Sequence, residues 1–272
     1  MKKLTNALQK IFSVFGSSPE QKFLQAAAQG NEVILRELIG QGLNVESQDT
    51  KGTTALHNSA KSGYYECLMA LLDHGASVET KDHFSRTALH YAAINGHEDC
   101  LEALIKKGAT IDSKDQMGCT PLHYALFNGQ TDCMKFLISA GANKEALDND
   151  NQTPLHLGAQ SEGDAADCLQ EFINSKVNIN AQDIFGLTPL HIAAMNNKTY
   201  CIVALRMANA AELKDEDGFT PLHYAAKYGH TTSVVVLIGY DASLGALNNE
   251  GLTPLDLALK NNQQDCVDLL KA

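Results

Sequence analysis

The chain is short of positive charge, and that shortage narrows its function first. It has 21 Lys and Arg against 32 Asp and Glu, for a net charge of −11. Residues 1–18 hold Lys2, Lys3 and Lys10 and no acid. The remainder therefore sets eighteen basic against thirty-two acidic residues, a balance of −14. Duplex DNA or RNA requires a basic face, so a nucleic-acid ligand is not expected, and a basic or neutral protein segment is the better electrostatic match. Catalytic signatures are also missing. There is no phosphate-cradling glycine loop with its lysine, no Gly-x-Ser-x-Gly elbow and no zinc-spaced Cys or His pair. Asp148-Asn149-Asp150-Asn151 only faintly resembles a calcium loop, because Thr153 and Ala159 stand where glycine and a bidentate glutamate are needed. No catalytic, cofactor-binding or metal-binding residue is nominated, and an enzyme is not expected.

What the chain does have is a beat. Thr-Pro-Leu-His stands at 120–123, 153–156, 188–191 and 220–223, with Thr-Ala-Leu-His at 54–57 and 87–90 and Thr-Pro-Leu-Asp at 253–256. Successive copies start 33, 33, 33, 35, 32 and 33 residues apart, and a fixed period of this length signals stacked repeats. One unit, Asp82 to Lys114, shows the local logic. Asp82-His83-Phe84-Ser85 is a turn signal, and Thr87 is an N-cap. The sister repeats place Pro at the next position, where its missing N–H costs nothing. Leu89, Ala92 and Ala93 form a short apolar stripe that Asn95-Gly96 ends. Cys100, Leu101, Leu104 and Ile105 form a second stripe at helical spacing, closed by Gly108. Each unit is thus a turn, two short antiparallel helices and a return loop, and it can bury its apolar face only against neighbours.

The pattern resembles the ankyrin repeat family over roughly residues 20–272. The resemblance rests on the Asp49, Asp82, Asp115, Asp148, Asp183 and Asp215 series, the Thr-Pro-Leu-His series, the Ala pairs 92–93, 193–194 and 225–226, and Gly-Ala at 75–76, 108–109 and 141–142. It implies an all-α solenoid of stacked helix-turn-helix units with short β-hairpin-like turns. The expected organisation is a segment over 1–18 followed by a repeat domain over 19–272, with units at about 20–48, 49–81, 82–114, 115–147, 148–182, 183–214, 215–247 and 248–272. The first unit is a worn copy, in which Phe23, Gly30 and Gly42 fall on Leu56, Gly63 and Gly75.

Periodicity also disposes of the apparent chemistry. Cys67, Cys100, Cys133, Cys168, Cys201 and Cys266 share one place in the second helix, and Cys119 alone lies in a turn. Helices pack about 8–10 Å apart, too far for a disulfide's Cα spacing of about 7 Å or less, so these residues read as small buried fillers. Free thiols suit a reducing compartment, hence a cytoplasmic location. His57, His90, His123, His156, His191 and His223 recur once per repeat and converge on no common point. The resemblance implies that each ties neighbouring units through the backbone, with Asp256 in its place in the last.

Function is then expected at positions the framework leaves free. In ankyrin proteins these are the turn tips and the exposed ends of the first helices, which line the concave face. The tips carry Phe84, Met117, Ile184 and Phe185 where polar residues are usual; Arg86, Cys119, Leu187, Phe219 and Leu252 precede the Thr of the motif; Ile94, Phe127, Met195 and Tyr228 end first helices. The partner-binding set is Phe84, Met117, Phe127, Ile184, Phe185, Phe219 and Tyr228, with acidic Asp150, Glu216, Asp217 and Glu250 beside it. The expected function is a monomeric, non-enzymatic scaffold or adaptor that binds a protein segment. The alternative is a regulator or inhibitor of a partner enzyme, including an effector that an intracellular bacterium delivers to a host cytoplasm.

Two irregularities are visible. The fifth repeat gains two residues within 160–164, and Lys176 and Asp241 replace the glycine that closes the second helix, which predicts distorted turns. Leu4, Leu8, Ile11, Phe12 and Phe15 share one helical face near the three lysines. The segment is too short and polar to span a bilayer and lacks a signal-peptide pattern. It either caps the first repeat or lies in a membrane interface or partner groove, the only membrane contact expected.

Overall fold

The computed structural model describes residues 18–161 and 166–271. The amphipathic segment lies outside them except for Ser18, as does most of the fifth-repeat insertion. Among the described residues there are sixteen helices in eight pairs and no named strand. The pairs are α1 (Pro19–Ala28) with α2 (Glu32–Gly40), α3 (Ala55–Ser62) with α4 (Tyr65–Asp73), and α5 (Ala88–Asn95) with α6 (Glu98–Lys106). Then come α7 (Pro121–Phe127) with α8 (Thr131–Ser139), α9 (Pro154–Gly158) with α10 (Ala166–Asn174), and α11 (Pro189–Met195) with α12 (Thr199–Met207). The last are α13 (Pro221–Tyr228) with α14 (Thr231–Gly239), and α15 (Pro254–Lys260) with α16 (Gln264–Lys271).

The chain forms two compact units, one of residues through Pro121 with Lys135–Ala142, the other of Leu122–Met134 with Asn143 onward. Within the first, α1, α3 and α5 pack side by side in one layer and α2, α4 and α6 in another. Buried Ala26, Ala27, Ala60, Ala92 and Ala93 let the first-helix layer close up, while Phe23, Leu35, Leu68, Leu71, Leu101 and Leu104 fill the space between layers. Within the second unit, α9, α11, α13 and α15 form one layer and α10, α12, α14 and α16 the other. Phe172 is its largest fully buried side chain.

Each first helix starts as the motif predicts. Thr54, Thr87, Thr153, Thr188, Thr220 and Thr253 sit in extended backbone and form capping boxes with the residue three positions on. The worn first copy does this one turn early: Ser18 caps α1, and Gln21 reaches back to the Ser18 N–H at 3.0 Å. In the fifth repeat, α9 has only 5 residues. It ends at Gly158, where a Cβ would stand 3.0 Å from Leu169 Cδ1 and 3.1 Å from Leu126 Cδ2. The insertion therefore follows a helix already truncated against its neighbours.

The turn at Asp241 is not distorted, contrary to the sequence expectation, while that at Lys176 keeps the left-handed residue, with its N–H donating to Ile173 O at 3.2 Å, but not the second closing bond that Ala242 makes. The φ values of Lys176 and Asp241, 63° and 59°, fall in the left-handed region occupied by Gly75 and Gly108 at 86° and 92°. Asp241 N–H donates to Ile238 O and Ala242 N–H to Leu237 O, both at 3.0 Å, as Gly108 and Ala109 donate to Ile105 and Leu104. Packing of the second helices fixes the chain path, so the side chain bears the strain. Replacing Lys176 by Gly should release it and raise stability by about 0.5–1 kcal/mol, after offsetting glycine's larger unfolded-state entropy. Urea melts of Lys176→Gly would show this; an unchanged or lowered midpoint would mean that the lysine is unstrained.

Candidate protein-interaction surface

The turn before each first helix is a closed loop whose polar groups are almost all spent. Asp82 Oδ1 accepts from the N–H groups of Phe84 and Arg86 at 2.8 and 2.9 Å, and Asp82 N–H donates to Arg86 O at 3.0 Å. Asp115 does the same for Met117 and Cys119, Asp183 for Phe185 and Leu187, and Asp215 for Asp217 and Phe219. Asn248 serves in the last tip. One residue per loop is left-handed, usually glycine; Ser85 and Asn151 stand there with φ of 59°.

Neighbouring tips are joined by single backbone hydrogen bonds. In the first unit, His83 N–H donates to Lys51 O and Gln116 N–H to Phe84 O, at 2.9 and 3.0 Å. In the second, Ile184 donates to Asp150 O, Glu216 to Phe185 O and Asn249 to Asp217 O, at 3.0, 3.1 and 3.0 Å. The motif histidines brace the same tips from beneath. His90 Nδ1 accepts from the Thr87 N–H and hydroxyl, and its Nε2–H donates to Cys119 O one repeat on, at 3.2 Å. His57, His123, His156, His191 and His223 donate likewise to Arg86, Gln152, Leu187, Phe219 and Leu252 O at 3.0–3.1 Å. In the last repeat Asp256 accepts from the Thr253 hydroxyl at 2.6 Å, which holds its carboxyl below the usual range.

With its backbone satisfied, each tip presents side chains alone. Phe84 and Met117, 51% and 60% exposed, lie on adjacent tips of the first unit. In the second, Ile184 and Phe185 share one tip at 40% and 58% exposure, and Phe127 and Tyr228 are exposed at helix ends. Phe219 is only half-buried and packs against the rings of His223 and Tyr224, with centroids 5.5 and 5.2 Å away. Cys119, counted among the free positions from sequence, is buried and joins the fillers.

Sequence reasoning missed Tyr224 and Lys227. Tyr224 OH donates to Asp215 Oδ2 at 2.6 Å, the bond Tyr91 makes to Asp82, and its ring stacks on Tyr228 with centroids 6.3 Å apart. Burial and the adjacent carboxylate raise both phenols, that of Tyr91 to about 12. The available signal was the i,i+4 spacing of Tyr224 and Tyr228 on one helix face.

The cysteines supply no reactive site here. All seven are buried and none is in a disulfide. Burial pushes the Cys100 and Cys201 thiols up to about 11, so at neutral pH they are not thiolates. Where the series has Ser233, its buried hydroxyl donates to Asn197 Oδ1 at 2.8 Å. Among the described residues, no group of three or more His, Cys, Asp or Glu is placed to hold a metal, and no helix is long and apolar enough to cross a membrane.

Comparison with known proteins agrees with this architecture. The family profile described as Ankyrin repeats (3 copies) matches residues 23–115, 109–183, 155–246 and 207–272. A crystal structure of the human ASB11 ankyrin repeat domain superposes with a TM-score of 0.59 at 24% identity, covering 92% of this chain and 97% of that one. At that identity the likeness concerns fold. No curated protein matches the sequence. The chain belongs to the ankyrin repeat family. Ankyrin repeats are protein–protein interaction modules, typically without enzymatic activity.

Proposed function

We propose that this chain is a non-enzymatic scaffold or adaptor that binds a protein partner through its tips and first-helix ends. The observation that carries the reading is the exposure of Phe84 and Met117 in one unit and of Ile184 and Phe185 in the other, on loops whose backbone is already satisfied. Apolar side chains held on a rigid, hydrogen-bonded support lose little entropy on binding and gain most from desolvation. Seven buried cysteines, none in a disulfide, support a reducing, cytoplasmic setting.

Affinity capture with wild type and two double variants, Phe84→Ala with Met117→Ala and Ile184→Ala with Phe185→Ala, tests it. A partner held by wild type should be lost with at least one variant while thermal unfolding stays unchanged. Identical partner lists from all three proteins would refute this surface. An activity assay on the captured partner would separate an adaptor from an inhibitor.

A further inference from the structure

We infer that the α13 end of the second unit's surface takes an extended cationic segment of the partner, with Lys or Arg set among apolar residues, and that Lys227 holds the cation's place in the free protein. This rests on the interaction reading above and adds the chemistry of the partner.

The floor of the site is aromatic. Phe219, Tyr224 and Tyr228 are contiguous: Phe219 and Tyr224 centroids are 5.2 Å apart, and the Tyr224 and Tyr228 rings stack within 16° of parallel. Lys227 Nζ lies 5.4 Å from the Phe219 centroid and 5.5 Å from that of Tyr228. Ring faces attract a cation at such distances. The chain's own ammonium rests on them and forms no salt bridge among the described residues.

The rim is acidic. Glu216 and Asp217 project from the tip that begins at Asp215, the residue Tyr224 holds, and both are exposed. The next tip is locked to this one, since Asn249 N–H donates to Asp217 O and Asn249 Nδ2 to Glu216 O, and it adds Glu250. Glu250 meets Lys260 at 3.5 Å, both largely exposed, so that pair is weak. Three exposed carboxylates thus stand on the tip that carries Phe219 and on the tip bonded to it, next to a ring floor that already holds an ammonium. The first unit differs: its tips project Thr50, Lys51, His83, Phe84, Gln116 and Met117, none of them acidic, and the cation over its Phe84 ring, Arg86 at 5.7 Å, is already paired with Asp115 at 3.4 Å. Carboxylates at the rim repel phosphate, so the fitting cation carrier is a polypeptide. Its side chain would displace Lys227 from the rings and reach Glu216 or Asp217, while its apolar residues meet Phe185 on the neighbouring tip.

The test is to pan a phage library of random short peptides against the full chain at low salt and measure the selected peptides by fluorescence anisotropy. They should be enriched in Arg and Lys over the starting library. Glu216→Lys combined with Asp217→Lys should weaken them about ten-fold or more, and Tyr228→Ala roughly five-fold. Lys227→Gln should strengthen them about three-fold, because a competing like charge leaves the rings. Unchanged melting curves would show that these surface variants fold. Selection of peptides without cationic enrichment, failure to select any, indifference to the charge reversal, or weaker binding by Lys227→Gln would each overturn the inference. If cellular partners still depend on Ile184 and Phe185 in the capture experiment, only the partner chemistry fails; if they do not, the interaction reading fails with it.

Discussion

Lowering the pH from 7 to 4.5 is expected to strip the protein of much of its stability, before most carboxylates are protonated. The cause is the histidine series. The imidazoles of His57, His90, His156, His191 and His223 are neutral with the proton on Nε2, because Nε2 donates to a carbonyl of the next repeat while Nδ1 accepts from a backbone N–H and a hydroxyl. A proton on Nδ1 would face the Thr backbone N–H, and the hydroxyl would have to turn to accept from it. Burial holds His57, His90, His156, His191 and His223 below the ordinary value, His90 at about 4. Asp115 near His90 pulls the other way, but desolvation is the larger effect.

The sign follows directly. An unfolded histidine titrates near pH 6.5 and the folded ones lower, so between those values the unfolded chain binds more protons. The contribution is complete above about pH 6.5 and is lost as the pH falls toward the folded values. His90 alone accounts for roughly 3 kcal/mol across that window, and four other repeats add in the same direction. Urea unfolding at several pH values between 7 and 4.5 should give free energies that fall with acidity by more than one bound proton per molecule. A flat profile between pH 7 and 5 would show that these imidazoles protonate in place without breaking their bonds.

Gly63→Ala is expected to destabilise the first unit by about 2–3 kcal/mol, part of it reversible by a second substitution. Gly63 closes α3 with φ of 75°, and a Cβ there would lie 2.4 Å from His97 Nδ1. His97 crosses the glycine so that its Nε2 can donate to Lys61 O at 3.1 Å, tying one repeat to the next. An alanine pays about 1–2 kcal/mol for the left-handed backbone and, by displacing the ring, forfeits a hydrogen bond of about 1 kcal/mol. In a His97→Ala background the ring is gone and only the backbone part should remain. A double-mutant cycle on thermal or urea unfolding would read that coupling of about 1 kcal/mol. Equal costs in both backgrounds would mean that the ring swings aside freely. Gly30 beneath Tyr64 and Gly229 beneath Gln263 repeat the arrangement, so close approach at this glycine belongs to the stacking itself.

How far each feature could be read ahead depends on the range of the interaction that makes it. Thr54, Pro121 and Gly96 act within three or four residues, through caps and a left-handed turn, so the helix starts and stops were legible in the chain. The left-handed residues that close two of the second helices were not legible, for the converse reason. Lys176 and Asp241 looked unsuited to a left-handed turn, yet helix packing imposes it. Cys119 looked like a free turn residue, but its N–H bonds to Asp115 and its carbonyl receives His90, so it is buried.

The sequence by itself determined the repeat, the helix pairs, the buried leucine and cysteine series and the identity of the tip residues, because each is encoded by local spacing repeated every 33 residues or so. Only the tertiary structure decided which apolar side chains stand exposed, that Phe219, Tyr224 and Tyr228 form one ring surface with Lys227 upon it, and that the exposed Glu216, Asp217 and Glu250 stand on two tips bonded to each other. Those contacts join residues of neighbouring turns and repeats, and a ring or carboxylate acquires its surroundings only when the next unit packs against it.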